Sequence, residues 1–389
     1  MTCRPVWAEI SRSKLLHNFD LLRRLATAAE LLAVVKADAY GHGTVACSQL
    51  LAASGAKWLG VTDMAEGVRV RAACAEAGAD EVAILAMGGL WPGEAEAALT
   101  HGITPVVWEK VHLEEAAGVG RPMAVHLEID TGMSRQGVRM EELPAFLDKL
   151  QETPQLRLDG VMTHFHSPET LDGPATAGQF SRFVTAMDTI CGRGLKPRWV
   201  HAGNSATLLA PGAEALAKLA EKHGATAMIR PGLALYGYAP RFTGGAQPKF
   251  GEDLKPVLAW KTRVASLRTI AKGETAGYCA TFRAERTTRL ALLPVGYADG
   301  LNRLLSNRGA VLVGGHRAPI AGRISMDLTS VDVTDVPGVA MGDEVVLIGE
   351  QGSEAVPAYE QADLVGTIPY EILCNINARV ARVMVDQGL

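Results

Sequence analysis

No run of even four lysines or arginines occurs in this sequence, and 38 Lys and Arg stand against 42 Asp and Glu for a formal net charge of −4. A basic footprint for nucleic acid or a membrane surface is missing. No charge-free run of 18 apolar residues exists to span a bilayer. The six cysteines, at positions 3, 47, 74, 191, 279 and 374, form no CxxC pair. Their scatter fits free thiols in a reducing compartment better than a disulfide framework. The opening MTCRPVWAEI lacks a basic stretch followed by an apolar one, so no secretory signal and a cytoplasmic location are expected. What remains is globular composition, with 48% hydrophobic and 21% charged residues. That is enough chain for two domains or three, and at this size most often an enzyme.

Eight short apolar runs punctuate the first 235 residues: LLAVVK (31–36), WLGVT (58–62), EVAILAM (81–87), ITPVVW (103–108), MAVHLEID (123–130), LDGVMTHF (158–165), RWVHAG (198–203) and AMIRPG (227–232). Amphipathic stretches such as 63–78 and 174–194 lie between them. Buried parallel strands read as continuous apolar runs, with helices as crossovers. Eight β-then-α units predict a (β/α)8 barrel, with a doubly wound open sheet as the competing arrangement. From about 241 the texture changes. RFTGGAQPKFGEDLKP (241–256) reads as a linker, and the runs after it are short, β-rich and broken by Gly and Pro. The expected class is therefore α/β: a TIM-type barrel over 1–240, then a mainly-β domain over 241–389. The extreme N-terminal residues are candidates to pair with the latter. The stretch 357–381 fits helix or strand.

Catalytic groups of such barrels sit at the C-terminal ends of strands. Lys36 closes the first run, in AVVKADAYGHG (33–43). A lysine there either snorkels to solvent or is an amine of depressed pKa, the form that makes Schiff bases. His164, in THFHS (163–167), closes the sixth. The His-x-His spacing hints at metal, but alternate residues point to opposite faces and no third ligand is spaced to join them, so no metal is expected. Asn204 and Ser205 stand where a helix begins after the seventh run, as N-caps or as a phosphate site. Arg230 closes the eighth, and Gly232 follows it. The arginine either pairs with a barrel carboxylate or donates to a ligand nitrogen without losing its proton. An amine, an imidazole, a guanidinium and a phosphate cradle on one rim together suit pyridoxal phosphate. In the β domain, Tyr278, Tyr297 with Arg303, Met326 with Asp327, and Tyr370 sit in glycine-rich contexts, where tyrosines usually pack.

AVVKADAYGHG resembles the cofactor-attachment motif of bacterial alanine racemases. DTGMSRQGV (130–138), THF (163–165), NSA (204–206), RPGLALYG (230–237), GYCATF (277–282), GYADG (296–300), GRISMD (322–327) and PYEI (369–372) resemble further family motifs in family order. The resemblance implies an isomerase that interconverts L-alanine and D-alanine, with D-alanine going to peptidoglycan. It implies a head-to-tail homodimer whose active sites are shared between subunits. Lys36 would hold pyridoxal 5'-phosphate as a Schiff base. Tyr40, Ser205 with its neighbour Asn204, Gly232, the Leu233 amide and Tyr370 would bind the phosphate. Arg230 would meet the pyridine nitrogen with His164 beside it. Tyr278 would come from the partner subunit as the second base, opposite Lys36. Arg135 and Met326 would receive the substrate carboxylate, and Tyr297 would narrow the entry. Asp327 and Arg303 would support them. A racemase of broader specificity, accepting serine, is the alternative.

One departure stands out. Many family members carry a carbamate-bearing lysine two residues before the DTGM aspartate, and this sequence has Glu128 there. The glutamate brings its own carboxylate, so no carbamylated lysine is expected and Glu128 should pair with Arg135. Ser134 also replaces a common glycine.

Overall fold

The computed structural model describes residues 4–171, 173–210, 213–243 and 251–385. Eight parallel strands form a closed ring: Glu30–Val34, Trp58–Val61, Ala83–Ala86, Ile103–Val107, Met123–Asp130, Leu156–Met162, Trp199–Gly203 and Thr226–Ile229. Each pairs with the next, the last pairs back onto the first, and the fourth-to-fifth pairing leaves no edge. Closure removes the unpaired backbone groups an open sheet would expose. This settles barrel against open sheet, and each of the eight apolar runs overlaps one strand.

The helices between strands show why the sequence folds this way. Met64–Glu76 starts at Asp63, whose carboxylate accepts from the Glu66 N–H, an N-cap in the position such residues favour. Leu143–Gln151 buries Leu143, Phe146, Leu147 and Leu150, one apolar stripe at helical spacing, against the barrel wall.

Contact clustering divides the chain into two units. One holds Leu15–Ala39 and Thr44–Lys255; the other holds residues up to Lys14, Tyr40–Gly43 and everything from Pro256. The β unit thus starts at Pro256, includes the N-terminal strand, whose pairing with it was a candidate arrangement, and takes four residues from the loop after Lys36. Part of the expected linker, 244–250, lies outside the described residues.

The β unit is built on a sheet in which Val6–Ser11 lies between Leu258–Arg263, antiparallel, and Ala381–Val385, parallel. Two further sheets hold Ser266–Ile270 with Thr288–Leu293 and Thr329–Asp332, and Thr275–Ala276 with Phe282–Arg283. The ambiguous stretch 357–381 forms two helices, Ala358–Val365 and Pro369–Cys374, before the last strand starts at Ala381. Pro357 and Pro369 open them, where a missing N–H costs nothing.

Candidate active site

Lys36 begins a single helical turn, Lys36–Gly41, immediately after the first barrel strand. Ala37, Asp38, Ala39 and Tyr40 all have φ between 53° and 54°. The turn is left-handed, a conformation that costs L-residues roughly 1–2 kcal/mol each. Two carboxylates hold it. Glu66 accepts from the Ala37 N–H at 2.7 Å and from the Thr62 N–H at 2.8 Å, and Asp38 accepts from the Thr44 N–H at 2.9 Å.

Arg230, at the end of the eighth strand, is buried. Its Nη2 donates to the Thr163 carbonyl at 2.8 Å and approaches His164 Nδ1 at 3.4 Å; its Nη1 meets His201 Nδ1 at 3.1 Å. Burial pulls the guanidinium down to about 10, against the pull of Glu128, so it is charged at neutral pH. Burial, and then the charges of Arg230, Arg135 and Lys36, push His164 down to about 3. Lys36, His164 and Arg230 therefore share one electrostatic neighbourhood.

Glu128 is buried and accepts from Gln136 Nε2 at 2.5 Å, with Arg230 and Arg135 acting on it only through their charge. The expected Glu128–Arg135 ion pair is thus corrected. The amide eight residues on is the partner, and Arg135 itself is exposed. Burial outweighs these groups and raises the Glu128 carboxyl above the usual range. Asp130 Oδ1 accepts from the Gly132 and Ser134 N–H groups. Ser134 keeps a φ of 55°, the left-handed geometry natural to glycine.

Asn204 caps the short helix Ser205–Leu209, accepting from the Thr207 N–H at 3.2 Å. The Ser205 hydroxyl points away from that helix and accepts from the amides of Gly232 and Ala234 at 3.1 and 3.2 Å. Leu233 opens the 3-10 turn between them. A hydroxyl and the amides around Leu233 thus gather at one end of the barrel.

Three features of the barrel were not singled out from sequence. His126 and His201, both fully buried, extend the Arg230 contact inward. Gln179, on the helix Pro174–Gly192, donates to Thr131 Oγ1 and the His164 carbonyl and accepts from the His166 N–H. It ties the DTGM loop to the THF strand end.

In the β unit Tyr40 is buried and Tyr370 lies beside it, ring centroids 5.9 Å apart. Burial, then the charges of Tyr370 and Cys374, raise the Tyr40 phenol far above its usual value. Tyr278 opens a 3-10 turn and is 68% exposed; Met326 is 54% and Tyr297 42% exposed. The loops carrying them cross at glycines. A Cβ on Gly322 would stand 2.7 Å from the Ala276 carbonyl oxygen, so no larger residue fits there. Tyr297 and Ala298 donate backbone bonds to the carbonyls of Ser325 and Met326, which zips GYADG to GRISMD. Asp299 holds that turn: it accepts from the Gly296 N–H at 2.9 Å and from both terminal nitrogens of Arg4 at 2.6 and 2.8 Å. Asp327 pairs with Arg379 at 2.6 Å, and Arg303 is exposed at the start of its own 3-10 turn.

Residues 10–240 match the family model for the alanine racemase N-terminal domain, and 257–384 that for the C-terminal domain. This chain belongs to the alanine racemase family. The alanine racemase of Sorangium cellulosum is 41% identical over 97% of this chain and 98% of its own. Among solved structures, alanine racemase from Streptomyces coelicolor A3(2) superposes with a TM-score of 0.88 at 32% identity, covering 98% of each chain. Alanine racemase from Bartonella henselae, solved with covalently bound pyridoxal phosphate, gives 0.82 at 27% identity over 98% of this chain and 99% of that one. Family members are isomerases of two-domain architecture, and both domains are present here.

Proposed function

We propose that this protein interconverts L-alanine and D-alanine with pyridoxal 5'-phosphate held through Lys36, as a cytoplasmic homodimer that supplies D-alanine for peptidoglycan. The observation that carries the reading is the convergence of Lys36, His164 and Arg230 at one end of a barrel whose full-length relatives are alanine racemases. Among the described residues, no helix is long and apolar enough to cross a membrane.

The donor set fits the cofactor. The Ser205 hydroxyl and the amides around Leu233 would suit a phosphate, and the resemblance assigns Tyr40 and Tyr370 to it as well. Arg230 would donate to the ring nitrogen and keep its own proton, because a guanidinium near 10 stays charged at neutral pH. His164, neutral from burial, steadies Arg230 without adding a second positive charge. When bound, the cofactor supplies an electron sink that acidifies the substrate Cα–H.

Lys36 would exchange a proton at Cα on one face and Tyr278, from a second copy of the chain, on the opposite face. Two bases across a planar centre invert configuration directly. Tyr278, Tyr297 and Met326 are large, exposed and mounted on interlocked loops, which supports their delivery to a second copy of the chain. Arg135 receives the substrate carboxylate together with Met326. Glu128, fixed by Gln136, supplies the nearby anion.

The test is to incubate the cofactor-loaded protein with L-alanine and, in parallel, L-serine, and to quantify each D-isomer by chiral chromatography. D-alanine in large excess over D-serine is expected. Comparable rates would move the assignment to a broader racemase, and no D-isomer from either would refute it.

A further inference from the structure

Below Arg230, two histidines continue into the barrel. His201 Nδ1 lies 3.1 Å from Arg230 Nη1, and His201 Nε2 lies 2.9 Å from His126 Nδ1. Both rings have no exposure to solvent. His126 comes from the fifth strand and His201 from the seventh. The sixth strand makes room for the contact at Gly160, where a Cβ would sit 2.6 Å from His126 Cε1 and Nδ1. Beyond His126 the polar line stops. Its Nε2 has no hydrogen-bond partner among the described residues, and its ring lies 5.6 Å from that of Trp58.

Proton bookkeeping along this line has one solution. A guanidinium nitrogen only donates. His201 Nδ1 must therefore be bare. A neutral His201 then carries its proton on Nε2 and donates it to His126, whose Nδ1 must also be bare. Every N–H in the line points away from Arg230. An imidazolium at either ring would place donor against donor.

We propose that His126 is a positioning residue: by accepting from His201 it fixes that ring's tautomer, and so holds Arg230 protonated and in one orientation. The charged groups that act on His126 are Asp159, Arg198 and Arg230, and those on His201 are Arg230 and, through its ring, His126. Burial, aided by the arginine charges and opposed only by Asp159 at His126, keeps both rings neutral. The proposal rests on the reading of Arg230 as the cofactor's ring-nitrogen partner only for its kinetic consequence; the proton order stands without it.

The ring-nitrogen NMR spectrum of the 15N-histidine-labelled protein, with and without pyridoxal phosphate, tests the order. Expected are two rings with Nδ1 bare and Nε2 protonated that do not titrate between about pH 5 and 8. A protonated Nδ1 on His201, or titration of either ring in that range, would overturn the proposal. The variants separate positioning from filling of space. His126→Asn places a side-chain oxygen where Nδ1 stands, whereas His126→Phe removes the acceptor. The phenylalanine should mix the His201 tautomers and lower kcat/KM about tenfold or more, and the asparagine should stay within about threefold of wild type. Equal losses in both, with the His201 tautomer unchanged, would reduce His126 to packing. Correct tautomers in a protein that forms no D-alanine would refute the assigned activity and leave the proton order standing.

Discussion

The buried imidazoles set how this protein responds to acid. His126 and His164 are held near 3, and His201 is pushed in the same direction, all chiefly by burial. In the unfolded chain each would titrate near 6.5. The folded value lies below the unfolded one, so unfolding takes up protons between those limits. Stability is greatest above about pH 6.5 and falls as the pH drops towards 3. At pH 5 an unfolded histidine is almost fully protonated and folded His126 and His164 almost not at all. These two rings then each contribute a slope of about 1.4 kcal/mol per pH unit, or roughly 3 together, and His201 acts in the same sense. Asp159, whose carboxyl Arg198 holds below its ordinary value, adds in the same sense but at lower pH. Glu128, raised by burial, opposes. A difference measurement removes both. Urea unfolding at a series of pH values, for wild type and His126→Phe, should give slopes between pH 6 and 5 that differ by about 1.4 kcal/mol per pH unit, one proton's worth. Equal slopes would mean that His126 is charged in the native protein or exposed to water, and the proton order drawn above would fall with it.

Two other outcomes follow from single side chains. Asp299→Ala deletes a buried carboxylate that holds the Gly296 N–H and both Arg4 terminal nitrogens, and should cost about 3 kcal/mol in equilibrium unfolding. A loss under about 0.5 kcal/mol would show that Arg4, partly exposed, gains little from the pair. Glu128→Gln removes the anion beside Arg135 and Arg230 and should raise KM for alanine about tenfold while kcat stays within about threefold. An unchanged KM would detach Glu128 from substrate binding.

The barrel was legible because its strands are buried on both faces, which turns each into an unbroken apolar run, and a polar residue at the end of such a run then marks the rim. Lys36, His164 and Arg230 were singled out that way. His126 and Glu128 were harder, yet their signal was present: two polar residues two apart in MAVHLEID share the inward face of one strand. The left-handed turn after Lys36 was not legible. Ala-Asp-Ala-Tyr contains no glycine and has ordinary right-handed preferences; the turn is imposed by Glu66 and Asp38 through backbone bonds. The Glu128 partner was misjudged because charge alone pointed to Arg135, whereas an exposed guanidinium keeps its water and the neighbouring amide makes the bond. The N-terminal residues were marked as candidates to pair with the β domain, but the strands that flank Val6–Ser11 were not legible, because local pattern carries nothing about sheet neighbours.

That strand has a consequence for how the protein is made. Val6–Ser11 leaves the ribosome well before both of its neighbours, Leu258–Arg263 and Ala381–Val385, which are encoded far downstream. At about 5–20 residues per second, the earlier neighbour follows some 250 residues and tens of seconds later. The barrel between them can close in that interval while the strand waits, apolar face unmatched, outside the unit to which it will belong. Translation speed and early chaperone capture therefore bear on this segment, and a fusion that occludes residues 6–11 should trap a chain whose barrel is formed and whose second unit is not.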